Sequence, residues 1–200
     1  MPVCRAVVFA SLVPDPLDDN CPQAFKDAVE ILLGKSKNAG DPYKPYEDIP
    51  YTAATDKMED NLRNRLLMFI GKYSERYELN EKQGRKTDAK DQIRDSSLIK
   101  WDNKNNEEIL NKGRKLIWVA YNSSTGSDAK TILADFDFHF KAIKNAEKEL
   151  YNTIDRHIDS TGCKNLTQAL NNAIESFLNK MPKVFDPFAG SCATGVACYN

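Results

Sequence analysis

The residues that point most directly at chemistry lie in Lys183–Asn200, K-V-F-D-P-F-A-G-S-C-A-T-G-V-A-C-Y-N. An apolar pair, Val184-Phe185, runs into Asp186, then a Pro-Phe step, Gly190 and a run of small residues. A short strand ending there would carry Asp186 to the carboxyl edge of a sheet, where α/β folds bind ligands. Gly190 permits a positive φ and close approach of a ligand to the backbone. Thr194 and Gly195 would open the helix that follows, whose free N–H groups favour an anionic group such as a carboxylate. This is the chemistry of a nucleotide-like cofactor site. The pattern D-P-F-A-G-S-x-A-T-G-V-A is more restrictive than a bare glycine loop, because Pro-Phe and the small residues must coincide with strand and glycines.

Other reactive side chains form no comparable arrangement. His139 and His157 are not at metal-ligand spacing. His139, between Phe138 and Phe140, reads as a partly buried aromatic neighbour, and His157 as a helix-surface residue. Cys192 sits where a helix N-terminus lowers a thiol pKa, but no base accompanies it. Trp101 and Trp118 read as core or interface residues rather than stacking platforms. Asp41-Pro42-Tyr43-Lys44-Pro45-Tyr46 reads as a loop, since it has neither adjacent prolines nor a preceding apolar strand.

The elements that must hold the C-terminal loop are mostly helices. Residues 2–13 are apolar enough for a buried helix, stopped by Pro14-Asp15-Pro16. Pro22 suits the first turn of a second helix, with Phe25, Ala28, Val29, Leu32 and Leu33 on one stripe and Gly34 near its end. Residues 38–56, with Gly40, Pro42, Pro45 and Pro50, read as an extended loop. A long amphipathic helix is predicted from Met58 to Tyr77, using Leu62, Leu66, Phe69, Ile70 and Tyr73. Another runs from Asn105 to Ala120 on Ile109, Leu110, Leu116, Ile117 and Val119, before a loop at 122–128. Two further helices use Ile143, Ala146, Leu150, Ile154 and Ile158, then Leu166, Leu170, Ala173, Ile174, Phe177, Leu178 and Met181. Asn165, with Gln168 three residues on, is the predicted cap of the last, and Pro182 ends it.

Charge is balanced, 28 Lys plus Arg against 29 Asp plus Glu, so no global field favours nucleic acid and a DNA contact requires a local patch. No stretch approaches the roughly 20 apolar residues of a membrane span. Arg5 lies inside the first apolar run rather than before it, and no small-residue cleavage site follows, unlike a signal peptide. The five cysteines are scattered, without a C-x-x-C pair, which points to a reducing, cytoplasmic setting.

The C-terminal segment resembles motif I of amino-group DNA methyltransferases, D-P-F-x-G-S-G followed by Thr and small residues. Two upstream segments narrow the likeness. R-A-V-V-F-A-S-L-V-P-D-P (Arg5–Pro16) and L-I-K-W-D-N-K-N-N-E-E-I-L (Leu98–Leu110) are similar to the N-terminal region of large, phage-defence-associated adenine-specific DNA methylases, in the same order. The resemblance implies S-adenosylmethionine as cofactor, contacted by Asp186, Phe188, Gly190, Thr194 and Gly195, with DNA and phage-defence proteins as partners and no membrane. This chain has Cys192 where that family usually has glycine. The catalytic (Asp/Asn/Ser)-Pro-Pro-(Tyr/Phe) motif does not occur in these 200 residues.

The expected architecture is mainly α. A helical N-terminal region (1–182), with a charged linker at 81–97 inside it, leads into the first strand–loop–helix of an incomplete Rossmann-like methyltransferase α/β sheet (183–200). The expected function is that of an N-terminal fragment of a DNA adenine-N6 methyltransferase, inactive alone and without a catalytic residue of its own. The alternative is a non-catalytic helical module binding DNA or protein, with Lys82, Arg85, Lys86, Lys90 and Arg94 as its basic face.

Overall fold

A computed structural model describes residues 2–34, 61–71, 75–86, 96–154 and 160–184. Seven α-helices occur among them: α1 (Pro2–Leu12), α2 (Gln23–Leu33), α3 (Leu62–Gly71), α4 (Glu75–Lys82), α5 (Glu107–Asn122), α6 (Ala129–Ile154) and α7 (Ser160–Leu178). Short 3-10 turns at Trp101–Asn105 and Ser123–Thr125 flank α5. The described residues are thus mainly helical and include no strand.

α5 is the central element because it is apolar on two sides. Ile109, Gly113 and Leu116 follow one another at helical spacing and are buried. That side meets α2 and α3, and Gly113 lies nearest Phe69 and Leu98. Trp118 projects from the opposite side and is fully buried. It stacks on Phe177 of α7 at 5.0 Å and meets Phe136 of α6 edge-on at 5.5 Å. Phe136 in turn stacks on Phe140 at 5.4 Å. Aromatic pairs in these geometries contribute about 0.5–1.5 kcal/mol each beyond their buried area.

α2 packs against α3, α5 and α6. Its stripe of Phe25, Ala28, Val29 and Leu33 is wholly buried, as the periodicity requires. Gly34 closes the helix at φ 99°, its N–H donating to the Glu30 carbonyl. That is the role its position near the stripe's end predicts.

The segment Leu98–Leu110 performs several backbone tasks in succession. The amides of Leu98 and Ile99 donate to the carbonyls of Phe69 and Ile70 at 2.8 and 3.1 Å, which ties this segment to the last turn of α3. Gly71 makes this approach possible, since a Cβ there would lie 2.3 Å from Ile99 Cδ1. Asn103, itself buried, donates from Nδ2 to the Ser97 carbonyl at 2.8 Å and fixes the 3-10 turn. Asn106 then caps α5, its Oδ1 accepting from the Ile109 amide at 3.4 Å.

α6 and α7 form an antiparallel pair, with Asp135 and His139 near the start of one facing Lys180 and Ser176 at the end of the other. Ile143, Ala146, Leu150 and Thr153 on α6, and Cys163, Leu166, Leu170, Ala173 and Phe177 on α7, alternate at three- and four-residue steps along the seam. Asp128 starts α6 by accepting from the Thr131 amide at 2.8 Å, which holds its carboxyl below the usual carboxylate range.

Several expectations change. α1 is buried on one face only: Phe9 enters the core against Phe69, whereas Val7 is 63% exposed, because α1 packs on one side of the body. α6 begins well before Ile143, since Ile132, Leu133 and Phe136 extend its buried stripe back to the Asp128 cap. Asn165 is no cap: it is an exposed residue inside α7, which starts at Ser160, and Gln168 bonds to Asn172 instead. Leu178 is exposed rather than part of the seam. The stretch 81–97, read as a charged linker, is described only at its ends: Glu81 and Lys82 are exposed in the last turn of α4, Ser97 is buried, and 87–95 lie outside the described residues. The single helix read from Met58 to Tyr77 corresponds to α3 and part of α4, with 72–74 outside the described residues. The loop at 38–56 also lies outside them, including the Asp41–Tyr46 segment.

The contrast between two glycines is testable. Gly71→Ala should destabilise by about 1–3 kcal/mol through overpacking against Ile99. Gly113→Ala, whose nearest neighbour would be 3.7 Å away, should stabilise by about 0.5–1 kcal/mol through helix propensity. Denaturant midpoints of the two variants check both signs. A second test concerns pH. Arg63 Nε donates to both Asp15 oxygens at 2.9 and 2.8 Å, and this, with the Leu17 amide, holds the Asp15 carboxyl below its ordinary range. A depressed folded-state pKa gives stability that is present above about pH 4 and lost as pH falls through the folded value. The small stability difference between the native chain and Asp15→Asn should therefore be measurable near pH 7 and vanish by about pH 2.

Candidate functional site

The predicted cofactor-loop residues Asp186, Phe188, Gly190, Thr194 and Gly195 lie outside the described residues, as does Cys192. So do Phe185, the rest of the strand expected from Val184, and His157. Val184 itself is 41% exposed and without regular structure.

The structure does define the ground from which that segment departs. Asn122, at the end of α5, donates from Nδ2 to the carbonyls of Trp118 and Lys180 at 2.8 and 3.0 Å. Lys180 Nζ donates to both Asp135 oxygens at 3.0 and 2.8 Å. Met181 packs against the core. Three different helices, α5, α6 and α7, therefore fix the backbone just before Pro182. Asp186 follows Lys180 by six residues in the sequence.

A second cluster superficially resembles a nucleophile with its base. Ser176 Oγ lies 3.4 Å from His139 Nδ1, and His139 Nε2 lies 3.5 Å from Asp135 Oδ1. Its chemistry is structural. Asp135 is already held on both oxygens by Lys180. Ser176 sits within α7, where neighbouring amides are committed to the helix ladder and offer no oxyanion donors. His139 lies against Trp118 at 5.8 Å, as its place between phenylalanines predicts. The cluster is a polar bridge across the α6–α7 seam. Asp135 and His139 are visible in the sequence as an i, i+4 pair, but Ser176 joins them only through the fold.

A third group lies where α1 meets the turn before α5. Arg5 Nη2 donates to the Lys104 carbonyl at 3.3 Å, across 99 residues of sequence. Nε and Nη1 of Arg5 are buried without a hydrogen-bond partner. Burial, and then the neighbouring Arg114 guanidinium, hold Arg5 below the ordinary arginine range. The Lys104 ammonium sits 5.5 Å from the centre of the Trp101 ring, and Trp101 is 59% exposed. Trp118 is thus the core residue expected, whereas Trp101 belongs to the surface.

The basic face proposed for the alternative reading is only partly described. Lys82, Arg85 and Lys86 are exposed beside the equally exposed Glu81, and Lys90 and Arg94 lie outside the described residues. Among the described residues, no group of three or more His, Cys, Asp or Glu side chains could hold a metal ion. Cys4, Cys21 and Cys163 are free thiols, and burial pushes the Cys21 thiol up. No helix among them is long and apolar enough to cross a membrane. Comparisons with protein-family models, curated proteins and solved structures returned no match.

Replacing Asn122 by Ala should leave the Lys180 carbonyl without its donor and cost about 1–2 kcal/mol. The change should also accelerate limited proteolysis after Lys180 or Lys183. Unaltered stability and cleavage would show that the α7 terminus is anchored by Met181 and Asp135 alone.

Proposed function

We propose that this chain is the N-terminal part of an S-adenosylmethionine-dependent DNA adenine-N6 methyltransferase. The observation that carries the reading is the D-P-F-A-G-S segment at Asp186–Ser191, preceded in order by the Arg5–Pro16 and Leu98–Leu110 segments. The contact between those two segments, through Arg5 and the Lys104 carbonyl, adds support. Segments that recur together in a family are readily understood if they build one structural unit.

In this reading the helical body is a platform and the cofactor loop begins at its anchored edge. Asp186 accepts hydrogen bonds from the methionine part of the cofactor, Phe188 packs on it, and Gly190 lets the backbone approach. Thr194 and Gly195 open the helix whose free N–H groups face the carboxylate. The cofactor supplies the methyl group. Target recognition by the (Asp/Asn/Ser)-Pro-Pro-(Tyr/Phe) motif, which accepts hydrogen bonds from the flipped base's amino group and stacks on its ring, needs residues this chain does not contain.

Two measurements test the proposal. The purified 200 residues should transfer no methyl group to adenine-containing DNA, and detectable transfer would contradict the assignment of roles. A protein expressed from a reading frame that continues past Asn200 into such a motif should methylate adenine N6. Its cofactor affinity should fall by about 10- to 100-fold in Asp186→Ala, the loss expected for hydrogen bonds to a charged group. Undiminished affinity in that variant would remove Asp186 from the site.

A further inference from the structure

We propose that the surface formed by Trp101 and Lys104, with Arg5 bound at the Lys104 carbonyl, binds single-stranded nucleic acid, Trp101 stacking on a base and Lys104 meeting the adjoining phosphate. The inference draws on the methyltransferase reading only for the choice of DNA as the strand to test.

Exposed single apolar residues are ordinary on protein surfaces. Trp101 differs in how it is held. The 3-10 turn that carries it is tied down by the buried Asn103, whose amide group reaches the Ser97 carbonyl, and by the Leu98 and Ile99 amides bound to the end of α3. Arg5 fixes the far side of the same turn at the Lys104 carbonyl. Trp101, a residue 59% exposed, is therefore presented on a tied-down turn, so little ordering remains to oppose a stacking partner.

The turn carries one exposed carboxylate, Asp102, between Trp101 and Lys104, and the two acids that follow it are paired elsewhere. Glu107 is engaged by Arg114 at 2.9 Å, and Glu108 by Lys112 at 3.1 Å. Among the described residues, no carboxylate pairs with Arg5 or Lys104. The Arg114 guanidinium lies close enough to disfavour the charge on Arg5. Two guanidinium N–H groups of Arg5 are covered by protein and have no acceptor, so its charge is expressed as a field rather than spent in a pair. Arg5 is a positioning residue here: it sets the turn and the local potential, and Lys104 makes the contact. A cationic groove beside an aromatic face is the combination by which proteins hold single strands, since every base has a π-face and every linkage a phosphate. An acidic peptide would use the cations but not the ring, which is why the test separates the two.

The experiment is a fluorescence-anisotropy titration of the whole chain with a labelled single-stranded DNA of about 12 nucleotides and mixed sequence. Trp101→Ala should weaken binding by about 5- to 150-fold, and Trp101→Phe, which keeps a ring, should retain most of the affinity. Lys104→Ala should lower the slope of log affinity against log salt by about 0.7, one phosphate's worth for a single strand. Trp101 and Lys104 are exposed, so circular dichroism and thermal midpoints should be unchanged in these variants. The proposal is overturned if the oligonucleotide does not bind at low salt, if Trp101→Ala binds it as the native chain does, or if polyglutamate displaces it with equal affinity. Trp101-dependent binding by this chain, where the protein from the continued reading frame takes up no S-adenosylmethionine, would keep this surface and remove the methyltransferase reading. Cofactor-dependent methylation with no effect of Trp101→Ala would do the reverse.

Discussion

The two-sided burial of α5 is the constraint on which the rest of the molecule depends. A surface helix needs one apolar stripe, and a helix enclosed on both sides must find apolar partners in both directions. Here one side is filled by α2, α3 and the Leu98 segment, and the other by the aromatic cluster around Trp118. The N-terminal helices and the α6–α7 pair consequently share one core rather than forming separate halves. Gly113 lies on the first of these sides, where a Cβ would meet Phe69 and Leu98 at 3.7 and 3.9 Å, ordinary contact that the packing has room for.

The polar contacts then determine how the ends of the elements are held. Asn103 and Asn106 close a turn and start a helix, and Asn122 ties the end of one helix to the end of another. Each satisfies backbone groups that would be costly to bury unpaired. The exposed ion pairs, Asp15 with Arg63 and Lys144 with Glu147, contribute less, because solvent screens both partners.

The sequence was most readable where local rules decide the outcome. The stripes of α2 and α5 and the glycine closing α2 follow from periodicity and backbone freedom. The first half of α6 is legible in principle, since Asp128 precedes an Ile132, Leu133, Phe136 stripe, but the polar run at 122–128 and the stronger periodicity at Ile143 and Leu150 point to a later start. Asn165 misled because N-x-x-Q is a cap signature only when the helix starts there, and the seam residues continue back to Cys163. Of the candidate sites, the cofactor loop is legible in sequence alone and falls outside the described residues. The Arg5, Lys104 and Trp101 group could not be read, because a packing contact across 99 residues assembles it.

The chain's two tryptophans occupy opposite environments. Trp118 is wholly enclosed by aromatic rings, with its indole N–H lacking a hydrogen-bond partner, whereas Trp101 stands in water under a lysine. Indole emission shifts to the blue when the ring is shielded from solvent dipoles and to the red when it is exposed. A single spectrum of the native protein therefore contains two separable optical signals, one reporting the integrity of the core and the other the occupancy of the surface.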